Sequence, residues 1–443
     1  MTRTRLFVLT LAAAGLALLL WGRTHRPAAA LPDGLVLGPE TWEQARGLLP
    51  AGILERYQRG EYRNPVLDLT APGLMRLELP PDLRAATERN RGRFQLDPAG
   101  SIVAVATGAP VPFIEGLPFP DVAPTDPAAG TKIVWNYFYA QWYRGNSRFL
   151  SHLVMLGRGG VERQLVSDAR MRLLDGAPEA RGQANPNALT QQTLAIVVAP
   201  ADLAGTVSLA WRYRDTAPDS VWTYVPGLRR TRQINPLNRS DGFLGSDISL
   251  DDGPFFDAKP ETFTFRLVGR RDELVLVDPF SLRGEAEVVP APGGGWRSVW
   301  KDAPAIGADD PAWTGVPWAP VSAALAIRPM WVVEGRPRDP NYLYGRLELH
   351  FDAETYGGAW VLKYDRANAL IGTYQISQGA FYEMTDGTWI PTGGIAVQIS
   401  ENRLYDRATV VRFPPRNPNH PADYRVPFDP DLFTPDALVR LGK

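Results

Sequence analysis

The 443-residue sequence contains no cysteine. Disulfides, thiol nucleophiles, thiolate metal sites and a lipid-modified N-terminal cysteine are therefore excluded, and the core alone must hold the fold. Histidine is scarce too. His25, His152, His350 and His420 are the only four, and they are too scattered to favour a zinc site or a Ser-His-Asp triad. Neither a P-loop, a GxSxG elbow nor a GxGxxG turn after a strand occurs. The sequence thus points to no metal and no cofactor and reads as a non-enzyme. A carboxylate-dependent hydrolase stays open, because two carboxylates ~5–10 Å apart leave no trace in sequence. One-sided charge is missing as well: Lys plus Arg (47) nearly cancels Asp plus Glu (48), leaving a net charge of −1. Such a balance lacks the basic stripe that nucleic acid requires, so no nucleic-acid partner is expected.

Turn formers and rings are abundant. Gly and Pro number 41 each without any repeat period, as many tight turns between strands would need. The 13 Trp, 15 Tyr and 17 Phe argue against disorder. At the N-terminus, Arg3 and Arg5 precede an uncharged run over 6–21, and Ala28-Ala29-Ala30 follows. A basic, then apolar, then small-residue order is that of a secretory signal. Arg23, His25 and Arg26 fall between the last two parts, which leaves an uncleaved inner-membrane anchor as the alternative. Both place the rest of the chain in the periplasm.

Apolar residues at helical spacing mark 40–48 and 51–59 (Trp42, Ala45, Leu49, Ile53, Leu54, Tyr57), parted by Pro50 and ended by Gly60. A charged helix is expected over 81–91, and the Pro- and Gly-rich 110–130 reads as an extended loop. Strands are expected from 132 onward: 132–143 (KIVWNYFYAQWY), 149–156, 164–174, 192–198, 206–213, 221–224, 229–234, 262–267, 274–278, 330–334, 342–351, 360–365, 372–377, 395–401 and 408–413. Short turns join most of them, so they should pair antiparallel and curl into a barrel, half-barrel or sandwich. The expected organisation is a signal or anchor (1–30), a helical and extended part (31–130), a β domain (131–420) and a tail (421–443). Insertions at 236–261 and 290–320 are expected to lie over the sheet and to form part of a lid.

Three stretches carry a family resemblance. The first is Gly116-Leu-Pro-Phe-Pro with Asp126-Pro127 and Lys132-Ile-Val-Trp-Asn136. The second is Val221-Trp-Thr-Tyr-Val-Pro-Gly-Leu-Arg-Arg-Thr-Arg232, followed by Gly245-Ser-Asp247 and Asp251-Asp252. The third is Tyr344-Gly-Arg346, His350-Phe-Asp-Ala-Glu-Thr-Tyr356 and Lys363-Tyr-Asp365. In order and spacing they resemble domain-of-unknown-function family 1329, outer-membrane lipoprotein-sorting-like proteins, and the second also looks like the wider LolA/LolB-like group. The resemblance implies a mainly β fold: a large curved antiparallel sheet, an incomplete barrel, with covering helices and loops. It also implies a concave face that holds acyl chains, and partnership with an inner-membrane exporter of the resistance–nodulation–division type.

Candidate site residues follow from the strand reading. Trp135, Tyr137 and Tyr139 would share a strand face and, with Trp142 and Tyr143, could line an apolar cavity, or else pack as ordinary core. Trp211 with Tyr213, and Trp222 with Tyr224, repeat the pattern and could extend that wall. Arg229, Arg230 and Arg232 could meet anionic head groups, stand as a solvated strand edge, or pair internally with Asp247, Asp251 and Asp252. Those aspartates, with Asp241, lack the EF-hand order and read as a structural loop in preference to a calcium site. The reading that follows is a periplasmic carrier or binding protein for a lipid, a lipoprotein acyl chain or another apolar ligand. Its competitor is a non-transporting envelope scaffold.

Overall fold

A computed structural model describes residues 31–234, 239–299, 303–392, 397–412 and 422–443. The expected export segment 1–30 and residues 235–238, where the first insertion begins, lie outside them. The period-two segments form the strands β1 (Ser147–Gly157), β2 (Gly160–Leu173), β3 (Leu189–Ala199), β4 (Val207–Tyr213), β5 (Ser220–Val225) and β6 (Arg230–Ile234). The second half adds β7 (Phe263–Val277), β8 (Ala324–Pro337), β9 (Arg346–Asp352), β10 (Gly358–Tyr364), β11 (Leu370–Ile376), β12 (Val397–Asn402) and β13 (Arg407–Arg412). The segments expected at 262–267 and 274–278 are one long strand, β7, with a bulge between Leu267 and Gly269.

These strands make one 16-stranded antiparallel sheet in the order β6-β5-β4-β3-β2-β1-β13-β12-β11-β10-β9-β8-β7. Three short strands, Glu287–Pro290, Trp296–Val299 and Ala422–Tyr424, complete it beside β1. The chain therefore starts at the centre, meanders out to one edge, crosses to the other edge, and meanders back until β13 pairs with β1. Among the described residues β6 and β7 do not pair, so the sheet is open.

It is also strongly curled, and one helix proves it. Residues expected to be a strand at 132–143 are instead part of the 14-residue helix α3 (Ala129–Trp142), the third after α1 (Ala51–Gln58) and α2 (Pro81–Arg89). At its start, a Cβ on Gly130 would come within 3.0 Å of the β7 backbone at Arg266 and Leu267. At its end, the Trp142 indole donates to Gln191 on β3 (3.1 Å). In a flat sheet β3 and β7, nine neighbours apart, would be about 43 Å from each other. A 14-residue helix spans about 21 Å, so the two halves must fold toward one another around it.

The strand expectation failed because a run dense in rings satisfies period two and period 3.6 alike. What distinguishes it is a long, predominantly apolar run without Gly or Pro from Thr131 to Trp142, whose few polar members (Lys132, Asn136, Gln141) mark no solvated stripe, as expected of a largely buried helix. Trp135, Tyr137, Tyr139 and Trp142 are each at most 7% exposed although they point around the helix. Of the first two expected helices, 51–59 forms α1, with Gly60 at φ +70°, while 40–48 shortens to a 3₁₀ turn at Trp42–Ala45.

Both sheet faces are covered. Along β13, Val411 belongs to the inner core with α3, whereas Ala408 and Val410 belong to the outer one. The outer face of β7–β13 carries the N-terminal segment (Leu37, Ile53, Tyr57, Tyr62) together with Ile306, Val316 and Trp318 of the second insertion. That insertion thus packs on the outside and is no lid over the concavity. The outer face of β3–β5 carries the C-terminal segment through Phe433 and Leu438.

Buried charge ties these layers down. The Glu401 carboxylate accepts from Arg56 Nη2 (3.1 Å), Trp318 Nε1 (3.0 Å), Gln375 Nε2 (3.3 Å) and the Tyr62 hydroxyl, joining four chain segments. His350 on β9 bridges Glu273 on β7 (Nδ1, 2.7 Å) and Glu348 (Nε2, 3.2 Å). Burial disfavours the imidazolium, but the two carboxylates outweigh it and raise His350 to about 9. A raised histidine stabilises the fold fully below its unfolded value of 6.5 and ceases to do so as pH rises through about 9. Replacing His350 by Gln is therefore expected to cost about 3–5 kcal/mol at pH 6 and clearly less at pH 9. Chemical denaturation at both pH values checks this, and an equal loss at the two would contradict it.

Candidate ligand-binding cavity

The curled sheet encloses more space than its contents fill. Against β7–β11 the concavity is packed with rings: Tyr137 of α3 lies 5.5 Å from Phe255 and 5.4 Å from Phe351, and Phe256 lies 5.9 Å from Phe265. Gly358 on β10 makes room for Phe255, whose ring a Cβ there would meet at 2.1 Å. Against β2–β5 small residues take adjacent inner positions. Ala169, Ala195 and Ser208 lie side by side across β2, β3 and β4, and Thr193, Ala210 and Val221 form the next row. Beyond the last turn of α3 these rows leave a cavity of about 430 Å³.

Its wall is mostly apolar. Phe149 and Leu153 of β1, Met171 of β2 and Val411 of β13 face it, as do Phe243 and Ile248 of the segment that crosses between the sheet edges. That segment, residues 239–262, has to pass over the concavity because it connects β6 at one edge to β7 at the other. The first insertion expected over the sheet is therefore this crossing.

A buried ionic knot pins the crossing to the wall. Arg212 on β4 bonds Asp219 (3.0 Å) and Asp257 (2.9 Å), while Arg239 bonds Asp251 (2.6 Å), Asp257 (3.0 Å) and Asp219 (3.4 Å). Burial opposes charge on both guanidiniums, yet these carboxylates more than offset it and raise both above the ordinary arginine value. Arg144, which also lines the cavity, differs. Its Nε is buried with no hydrogen-bond partner, and burial, unopposed by any carboxylate, lowers its pKa.

None of the eight expected wall residues lines this cavity. Trp135, Tyr137, Tyr139 and Trp142 are core rings of α3; their polar atoms engage Gly100 O, Phe256 N, Asp175 and Gln191. Trp211, Tyr213, Trp222 and Tyr224 alternate with the lining residues of β4 and β5 and so face outward. There Trp211 and Trp222 pack edge to face at 5.2 Å, and the Trp211 indole donates to Phe433 O (2.9 Å). Arg230 and Arg232 are exposed on the edge strand β6, and Arg229 is exposed in the turn just before it. The internal pairing with the aspartates is not made: Asp247 pairs with Arg407 (3.0 Å), Asp251 with Arg239, and Asp252 with Lys363 (2.7 Å). Asp241 is exposed, and no group of three or more potential metal ligands converges among the described residues. The residues that reasoning from sequence missed are the small ones, spaced by two as Ser167-x-Ala169, Thr193-x-Ala195 and Ser208-x-Ala210 in three successive strands.

Over residues 41–439 the sequence matches the family described as "Protein of unknown function (DUF1329)". The chain belongs to this family. Similar solved structures include a putative outer membrane lipoprotein-sorting protein domain from Vibrio parahaemolyticus, with 16% identity and a TM-score of 0.45 over 71% of this chain and 100% of that one. A DUF1329 family protein from Desulfovibrio piger gives 16% and 0.42 over 71% and 100%. A LolA superfamily protein from Nitrosomonas europaea gives 11% and 0.38 over 68% and 96%. No curated protein matches the chain. The mainly β, open antiparallel architecture with covering helices and loops expected of a DUF1329 chain is the one found.

In this DUF1329 protein the ionic knot carries stability. Arg212→Ala would leave Asp219 and Asp257 in the interior with Arg239 as their main counter-charge, at a cost of about 3–5 kcal/mol. Chemical denaturation measures it; an unchanged midpoint would mean that the crossing segment does not depend on the knot.

Proposed function

We propose that this DUF1329 protein is a periplasmic binding protein or carrier for a lipid, a lipoprotein acyl chain or another apolar ligand. The observation that supports this reading is the cavity of about 430 Å³ behind the small residues of β2–β4, within the ~300–1,000 Å³ typical of small-ligand sites. Exposing an acyl chain to water costs about 0.8 kcal/mol per methylene, hence more than ~10 kcal/mol for a chain of about sixteen carbons. An apolar pocket such as that formed by Phe149, Leu153, Met171, Phe243 and Ile248 removes much of that cost. Delivery then needs a membrane or partner that offers equal burial. An exporter of the resistance–nodulation–division type is the partner implied by resemblance, and the exposed β6 edge with Arg229, Arg230, Arg232 and the 56%-exposed Leu228 would be the surface it meets.

Mass spectrometry of organic extracts from the protein, purified without detergent from a periplasmic fraction, is expected to show a stoichiometric apolar molecule. Filling the pocket with Ala169→Trp or Ala210→Phe is expected to weaken uptake of a fluorescent fatty acid by ~10-fold or more, about 1.4 kcal/mol, while the chain still melts cooperatively. A ligand-free protein that takes up no fatty acid would favour the envelope scaffold instead.

A further inference from the structure

We propose that the cavity's ligand is an anionic amphiphile and that Arg144 holds its carboxylate or phosphate, an inference that rests on the binding reading above. Arg144 stands two residues beyond α3, where the chain turns at Gly145 (φ +83°) into β1. The Phe381 ring (5.9 Å from the guanidinium carbon) borders it, and Tyr424 lines the same cavity. Among the described residues no carboxylate pairs with Arg144, and its buried Nε makes no hydrogen bond. Every other charged side chain lining the cavity is engaged. Arg212 and Arg239 share Asp219 and Asp257, Glu78 meets Arg84 (3.2 Å), and Asp278 caps the turn at Phe280 and Ser281.

Arg144 is half-buried; its guanidinium cannot escape its charge by losing a proton, and its Nε, buried without a hydrogen-bond partner, carries an uncompensated desolvation cost. An anion entering with the ligand offsets that cost. The planar guanidinium presents donors spaced for the two oxygens of a carboxylate or phosphate. Phe149, Leu153 and Met171 line the remaining apolar space, which takes the chain. Arg144 thus selects the head group, while the small-residue rows admit the tail.

The test compares dodecanoic acid, dodecyl phosphate and dodecanol by titration calorimetry on the intact, delipidated protein. At least one of the two anions is expected to bind ~10-fold or more tightly than the alcohol, and the tighter of them tells a fatty-acid source from a phospholipid one. Arg144→Gln is expected to abolish that preference, keep the dodecanol affinity and melt no lower than the wild type, since no ion pair is lost. Arg144→Lys should retain part of the preference. Equal binding of all three probes by the wild type, which requires no variant to fold, would overturn the proposal and leave the apolar cavity standing. So would a preference that survives in Arg144→Gln. Failure of every probe to bind would instead bring down the carrier reading itself.

Discussion

The molecule is organised by one constraint: a long antiparallel sheet that curls without closing has to have its concave face covered. A barrel can fill its interior from its own strands, but here the open interior is wide enough to need a helix. Helix α3 lies within that curve, touching β7 at Gly130 and β3 at Trp142. From Ile133 to Ala140 every residue is buried, so over this stretch it has no solvated face and carries rings on several sides. The crossing from β6 to β7 follows from the same constraint, because joining the two edges of a curled sheet takes the chain over its mouth.

Within the concavity, the balance of large and small residues decides what is solid and what is empty. On β7–β11 the aromatic cluster around Tyr137, Phe255 and Phe351 closes the space, helped by Gly358 beneath Phe255. On β2–β4, alanine, serine and threonine occupy the corresponding inner positions, and α3 ends before it can fill the gap. Interiors pack closely wherever side chains can reach, so a void this size persists only where the chain places small residues in consecutive rows. The knot of Arg212 and Arg239 with three aspartates then holds the crossing segment against that wall. Charge serves here as a clamp, and among the described residues Arg144 is the cavity-lining guanidinium with no carboxylate partner.

Most strands were legible in sequence because a half-buried strand writes its two faces as alternation, and here nearly every strand has two distinct neighbours. The motif-based family resemblance was legible for a similar reason: turns and buried ion pairs demand particular residues at particular spacings. Trp135, Tyr137 and Tyr139 misled, since a surround-buried helix leaves no polar stripe from which to read its period. The rings of β4 and β5 misled in another way. Trp211 and Trp222 do share a face, but which face turns inward depends on what covers each side, and the cover over them is a C-terminal segment more than 200 residues away in sequence. A search for a cavity among large residues was bound to find packed core, because large residues fill space and small ones leave it.

By itself the sequence determined the class of structure: the absence of cysteine and the alternating apolar segments require a large β core without covalent staples, and the short turns require antiparallel pairing. The tertiary structure alone decided that α3 is a helix, that the second insertion packs outside, and that the space lies behind Ala169, Ala195 and Ala210. It also decided that Arg144 lines this space with no carboxylate partner among the described residues, whereas Arg212, which lines it too, is paired with Asp219 and Asp257. The physical reason is that pattern along a chain records whether a residue is buried, whereas burial against what, and beside which charge, arises only from segments that meet across hundreds of residues.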